Sequence, residues 1–392
     1  MASQVLAVTA LNLKTLPRRF WASLVVILGV AGVVGVIVSV LAMVTGLDNA
    51  MQHAGRADRA IVLRGGSDTE MSSTLTRDAV TTILDAPGLR HDAAGRPLAS
   101  AEVVTVVSRP QLSTGTDANV TLRGVQPQGL EIRPEFRLVE GRWFRPGLHE
   151  LVVGAAAQRQ FSGLEIGSKI MLRDTEWTIV GAFSSDGDAY ESEILADAET
   201  LLTAYRRNLF QSVMVRLDSP ASFQELKDAL TANPQLSVDV VRETDYLARL
   251  SQNLTRAMKL IAAVVGSIMA VGAVFGALNT MYSAVSARTI EIATLRAIGF
   301  GGFGLVVSVL VEAMLLSLIG GSLGAGLAWV FFNGHAVNAM GGNFTQIVFS
   351  LAVTPPLVVE GIAAALSIGL LGGLLPAFKA AHLPVVEALR KL

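Results

Sequence analysis

The chain has 392 residues, 51% of them hydrophobic and 16% charged, with a net charge of −1 and no cysteine. The near-neutral balance, with no basic stretch interleaved with aromatics, argues against nucleic-acid binding. The missing thiols exclude disulfides, thiolate metal sites, a cysteine nucleophile and lipid attachment at cysteine.

Residues 1–19 place Val5, Leu6, Leu13 and Leu16 on one helical face and end at Pro17, Arg18 and Arg19. They are expected as a cytoplasmic helix lying along the membrane surface, or as an upstream extension of the first span. Residues 20–45 form an uncharged apolar segment, longer than the ~20 residues needed to cross hydrocarbon. It is too long for a signal-peptide core and reads as an uncleaved anchor.

Residues 46–258 are polar and read as a mixed α/β block. Strands are expected at 60–63 and 102–107, with a helix at 76–84 that stops at Ala86-Pro87-Gly88. The same order returns as a strand at 212–217, a helix at 222–232 and a strand at 236–241. Two β-α-β units of this kind pack side by side, so a ferredoxin-like, split-βαβ part is expected from 56–120 and 207–245. Residues 121–206 are expected as an inserted β-rich part, with strands at 150–153, 169–172 and 176–183. Asp186, Asp188, Glu191 and Glu193 make an acidic stretch whose spacing fails the calcium-loop pattern; a solvated turn is expected there. The five histidines are scattered, and nothing favours a hydrolase triad.

Three further apolar segments follow at 259–285, 303–332 and 357–376, separated by a short loop at 286–302 and a longer one at 333–356. The fold class is therefore an α-helical membrane protein with four transmembrane helices, one plus three, and a large mixed α/β extracytoplasmic domain between helices 1 and 2. Lys14, Arg18, Arg19, Arg288, Arg296, Lys379, Arg390 and Lys391 flank one side of the spans, whereas 333–356 has no Lys or Arg. The positive-inside rule puts both termini, the tail 377–392 and the 286–302 loop in the cytoplasm. Glu312 falls roughly 14 Å into the third span, where an ionisable group faces protein or water. It reads either as a group with a transport or conformational role or as a protonated or paired structural glutamate at the helix interface. Gly272/Gly276, Gly320/Gly324 and Gly369/Gly373 are spaced for close helix packing, inside one protomer or across a dimer seam.

Two short stretches carry a resemblance. Residues 287–299 read A-R-T-I-E-I-A-T-L-R-A-I-G, and residues 376–390 read P-A-F-K-A-A-H-L-P-V-V-E-A-L-R. These resemble the two signatures of the FtsX-like permease family, the MacB/LolC/LolE type of ABC transporter subunit. Glu312 with Gly320-Gly321-Ser322-Leu323-Gly324 is similar to a third family run. Two departures are Ala293 for the usual Gly, and Phe300-Gly301 for the usual small-polar pair.

The resemblance implies a cytoplasmic coupling helix at 286–302 that docks on an ATPase. Arg288, Glu291, Ile292, Leu295, Arg296 and Gly299 are its candidate coupling residues. Arg288 and Glu291 are spaced to pair with each other or with ATPase side chains, and Ile292, Leu295 and Ile298 offer an apolar side. A solvated positive-inside turn is the plainer alternative.

No Gly-Lys dipeptide occurs, so these residues hold no phosphate loop. The chain is expected to be non-catalytic and to bind no cofactor, with ATP and Mg held by a separate ATPase in two copies. The other implied partners are a second permease copy, membrane lipids, and a periplasmic adaptor with an outer-membrane channel. Export or extraction of a substrate by mechanotransmission is the leading function. The alternative is a transmitter that switches an extracytoplasmic cell-wall hydrolase. A drug, peptide, glycolipid or lipoprotein cargo all remain open.

Overall fold

Residues 20–54 contain no proline and one charged side chain, Asp48, so nothing interrupts the backbone ladder. Helix α1 accordingly runs Phe20–Ala54, roughly 50 Å at the helical rise. It continues past the boundary at 45 that hydropathy alone suggests. The computed structural model describes Thr9, residues 20–340 and residues 345–382. Apart from Thr9, the expected surface helix at 1–19 lies outside the described residues, as does the tail with Arg390 and Lys391. The chain divides into two units: an α/β block of Gly46–Thr255 with Ala336–Ser350, and a helical unit holding the remainder.

The α/β block begins with strand β1 (Arg59–Arg64), helix α2 (Arg77–Leu84) and strand β2 (Ala99–Pro110). Thr76 caps α2, its hydroxyl accepting from the Ala79 amide. Next come β3 (Asp117–Val125), α3 (Pro127–Ile132), β4 (Arg137–Gly141), β5 (Glu150–Gly154), α4 (Ala155–Gln160), β6 (Lys169–Leu172), β7 (Thr175–Ser184), β8 (Ile194–Asp197) and α5 (Ala198–Ala204). The chain then closes through β9 (Ser212–Arg216), α6 (Phe223–Thr231) and β10 (Val238–Arg242).

Strands β10-β1-β9-β2 lie in that order with every pair antiparallel. With α2 and α6 as crossovers, this is a ferredoxin-like arrangement. The separate inserted part at 121–206 is not set apart, because β2 is shared along its length. Ala99–Glu102 pair with β9, and Val103–Pro110 pair with β3. The sheet therefore runs on through β3-β8-β5-β7-β4.

Strand alternation sorts side chains onto two faces. Ala60, Val62, Ala101, Val103, Val120, Leu122, Val213 and Val215 share one face with Val80, Ile83, Leu226 and Leu230 of the crossover helices, an apolar core. The opposite face carries Arg59, Glu102 and Arg123, all buried. Arg123 lies 2.8 Å from Glu70, 2.8 Å from Glu102 and 2.6 Å from Glu193. Arg133 meets Glu102 at 2.6 Å, and Arg59 meets Glu135 at 2.6 Å and Glu243 at 2.8 Å. Tyr190 donates to Glu243 at 2.8 Å.

Five glutamates thus face three arginines, an excess of negative charge that burial makes costly. Burial raises Glu193 and Glu243 above the ordinary carboxylate range despite the arginines beside them. Burial also acts to raise Glu70, but Arg123 and the Ser212 hydroxyl outweigh it and hold Glu70 low.

The solvated turn expected at 186–193 is found only at Asp186. Asp188, Glu191 and Glu193 are buried. Asp188 accepts from the Ser185 hydroxyl at 2.6 Å and the Tyr190 amide at 2.9 Å. Glu191 accepts from the Ser185 and Gly187 amides. These carboxylates cap their own loop, and among the described residues no group of three or more could hold a metal ion.

Helix α7 (Glu243–Ala287) is followed by α8 (Thr289–Ala297) and α9 (Gly302–Phe332). The expected loop at 333–356 instead contains a hairpin of β11 (Ala336–Met340) and β12 (Gln346–Ser350), grouped with the α/β block. Within that block, Gly46 lies so close to Ser350 that an added Cβ would sit 2.3 Å from its carbonyl oxygen. Helix α10 (Pro355–Ala381) ends the described chain. Helices α1, α7, α9 and α10 are each long and apolar enough to cross a membrane.

In the helical unit Val26, Val30, Val34 and Val38 of α1 pack with Leu316 of α9 and Ala365 and Ile368 of α10. Glycines set the approach. A Cβ on Gly320 or Gly324 would strike the Ile27 or Ala31 carbonyl of α1, at 2.7 and 2.3 Å. Gly369 and Gly373 close in the same way on Ser317 and Ala313 of α9. Gly272 and Gly276 of α7 have no such neighbour within 4 Å among the described residues.

Asp188 generates a pH prediction. Burial pushes its carboxyl from 3.8 up to about 7, so the folded chain holds a proton the unfolded chain releases. Its stabilising contribution is whole below the unfolded value and is lost as pH rises through about 7. Asp188→Asn keeps the acceptors for Tyr190 and Glu191 without that proton. Its melting temperature relative to wild type should rise between about pH 4 and 7, by an equivalent on the order of 1–3 kcal/mol. Thermal unfolding of the full chain in detergent measures this, and a pH-independent difference refutes the assignment.

Candidate functional site

Helix α8 joins the second and third apolar helices. Glu291 in its first turn and Arg296 in its last complement the helix dipole. Its exit is a Schellman motif: the Phe300 amide donates to Leu295 and the Gly299 amide donates to Arg296, each at 3.0 Å. Gly299 adopts φ +103°, which a side chain would resist. Phe300 and Leu295 both pack against the apolar cluster beside them.

The inward face of α8 is bound to the spans. Ile292 and Leu295 pack with Met281 and Val285 of α7, Leu305 and Val309 of α9, and Ala377 and Ala380 of α10. Arg296 donates to the Ala381 carbonyl at 2.8 Å, capping the end of α10. Arg288 is buried and lies 3.5 Å from Glu312 of α9, itself 4% exposed. Lys379 sits 5.0 Å above the Tyr282 ring.

This changes the assignment of the coupling residues. Arg288 does not pair with Glu291; its guanidinium enters an apolar layer where a carboxylate must meet it, and Glu312 does so. Glu312 is thus paired with Arg288 inside the helical unit. Ile292 and Leu295 are not an outward apolar side, because both turn into the protomer. Gly299 shapes the exit and carries no side chain to a partner.

Of the six candidates, Glu291 is the exposed side chain. The outward face consists of Ile290, Glu291, Thr294, Ala297 and Ile298, with Ile290 42% and Ile298 71% exposed. Spacing at 100° per residue groups these five together. Apolar residues occur on both sides of α8, however, so periodicity could not say which side turns inward.

Four hydrocarbon-length helices, an α/β block after the first, and a short helix held to three of the spans define a multi-pass membrane protein of the permease type. A family model described as the MacB-like periplasmic core domain matches residues 23–233, more than half of the chain. A second, the FtsX-like permease C-terminal model, matches residues 263–385. The chain belongs to the MacB/FtsX-like family of ABC transporter permeases, whose members are multi-pass inner-membrane proteins.

Similar proteins include the macrolide export ATP-binding/permease protein MacB of Neisseria meningitidis serogroup A. It is 26% identical over 311 residues, which are 74% of this chain and 47% of the relative. The MacB of Shewanella oneidensis is 26% identical over 373 residues, 84% of this chain and 55% of that protein. The chain thus spans about half the length of the curated relatives it matches. Among solved structures, the extracellular domain of the ABC-type transporter YknZ from Gram-positive bacteria aligns with a TM-score of 0.36 at 15% identity, over 47% of this chain and 100% of that one. The periplasmic region of MacB from Actinobacillus actinomycetemcomitans aligns with a TM-score of 0.35 at 11% identity, over 48% of this chain and 90% of that one.

Gly299→Val should destabilise α8 by roughly 1–3 kcal/mol through backbone strain, since a Cβ there meets open space rather than a neighbour. Amide exchange across residues 289–297 reads this directly. Protection equal to wild type would show that the exit does not depend on the left-handed residue.

Proposed function

We propose that this chain is the permease subunit of an ABC transporter. It converts ATP hydrolysis by a separate ATPase, which binds ATP and Mg, into motion of its α/β block, exporting or extracting a substrate from the inner membrane or periplasm. The observation that carries this reading is α8. Its outer face leaves Ile290, Glu291 and Ile298 exposed while its inner face is tied to α7, α9 and α10. A load placed on that face reaches three spans at once. The 392 residues contain no phosphate loop, consistent with hydrolysis elsewhere.

Two further features support the reading. An open cavity of about 760 Å³ in the α/β block is walled by Leu84, Pro97, Pro127 and Pro146, with Gln126 and Asp197 among them. Its volume falls within the range of small-molecule clefts, and it is broadly open to solvent. Helix α7 exposes Leu260, Ile268, Val271 and Phe275 beside Gly272 and Gly276, a surface suited to a second permease copy in lipid.

Two experiments test this function. Ile298→Asp would place a charge in the ATPase contact without touching a span. Association with the ATPase should fall roughly tenfold, about 1.4 kcal/mol, and Glu291→Lys should act in the same direction. Copurification and ATP turnover unchanged in both would show α8 to be a solvated turn.

The Lys/Arg asymmetry supports an α/β block outside the cytoplasm. Lys227→Cys, on the exposed side of α6 in this cysteine-free chain, should react with a membrane-impermeant thiol reagent in cells with a permeabilised outer membrane. Labelling only after inner-membrane lysis reverses the topology.

A further inference from the structure

We infer that the Arg288–Glu312 ion pair is the latch through which a displacement of α8 reaches the third span, α9; the inference rests on α8 being the ATPase contact. Arg288 immediately precedes the first residue of α8, and Glu312 lies within α9. The two side chains are 7% and 5% exposed and lie 3.5 Å apart. Around them close Met281, Val285, Ile292, Leu305 and Val309, leaving a void of only about 20 Å³.

The other ties of α8 differ in kind. Ile292 and Leu295 make apolar contacts, which are non-directional and tolerate sliding. Arg296 donates to a backbone carbonyl at the end of α10. The ion pair is directional, and the void beside it has room for about one water molecule. If α8 moves, Glu312 must follow or the buried pair is pulled apart at a cost. Arg288 and Glu312 are therefore positioning residues that act as a unit.

The test is a double-mutant cycle with two readouts. Amide exchange over residues 289–297 is measured on the full chain in detergent, and ATP turnover is measured on the complex with its ATPase. Glu312→Gln and Arg288→Gln should each raise exchange in α8 and lower stimulation of turnover about tenfold, while the subunits still copurify. The reversed pair, Arg288→Glu with Glu312→Arg, should recover both. The apolar pair, Arg288→Met with Glu312→Leu, should restore protection of α8 by refilling the layer, but not stimulation.

Full stimulation in the single variants or in the apolar pair overturns the latch and leaves only a packing role. Exchange unchanged in the single variants overturns it as well, whatever the ATPase does. A wild-type chain that neither binds nor stimulates an ATPase instead overturns the permease reading, and with it the contact on which the latch acts.

Discussion

The α/β block is organised by one buried guanidinium. Arg123 of β3 meets Glu70 from the turn after β1, Glu102 of β2 and Glu193 just before β8. Glu102 passes the connection to Arg133 after α3, and Tyr190 links the same region to Glu243, the first residue of α7. Unpaired, any of these groups would carry a large desolvation cost. Together they require β1, β2, β3, β8, α3 and the start of α7 to occupy one arrangement. The apolar face beneath α2 and α6 supplies burial but is less selective, since Val, Ile and Leu pack with many neighbours. The charged face therefore specifies which strands are adjacent.

The same sheet shows why a strand pattern can be right while a domain boundary is not. Strand β2 is long enough to pair with β9 at one end and β3 at the other. Two segments that read as separate in composition become one continuous sheet. Sharing a strand removes two edges that would otherwise need covering.

The helical unit follows a different rule. Lipid gives little hydrophobic drive for helix association, so close packing and specific polar contacts decide it. Gly320, Gly324, Gly369 and Gly373 bring backbones together, and the Arg288–Glu312 pair ties α8 to α9. Gly272 and Gly276 share the spacing but lie on the open surface of α7. Spacing identifies a helix face able to pack closely; only the assembled structure shows which face is used.

The amino-acid sequence by itself determined the four apolar helices and the polar block after the first. Each depends on local composition and period, through the length of hydrocarbon to be crossed and the alternation of strand faces. It also held the exit of α8, through Gly299. The tertiary structure alone decided the rest. Asp188, Glu191 and Glu193 read as solvent-loving in a short window, yet their partners, bound within a folded loop or at Arg123 seventy residues away, bury them. Arg288 chose Glu312 over Glu291, 24 residues away rather than three, because the carboxylate near in sequence faces outward and the distant one shares its buried layer. Residue types are written along the chain, but the dielectric around a charge and the identity of its counter-charge exist only once remote segments have come together.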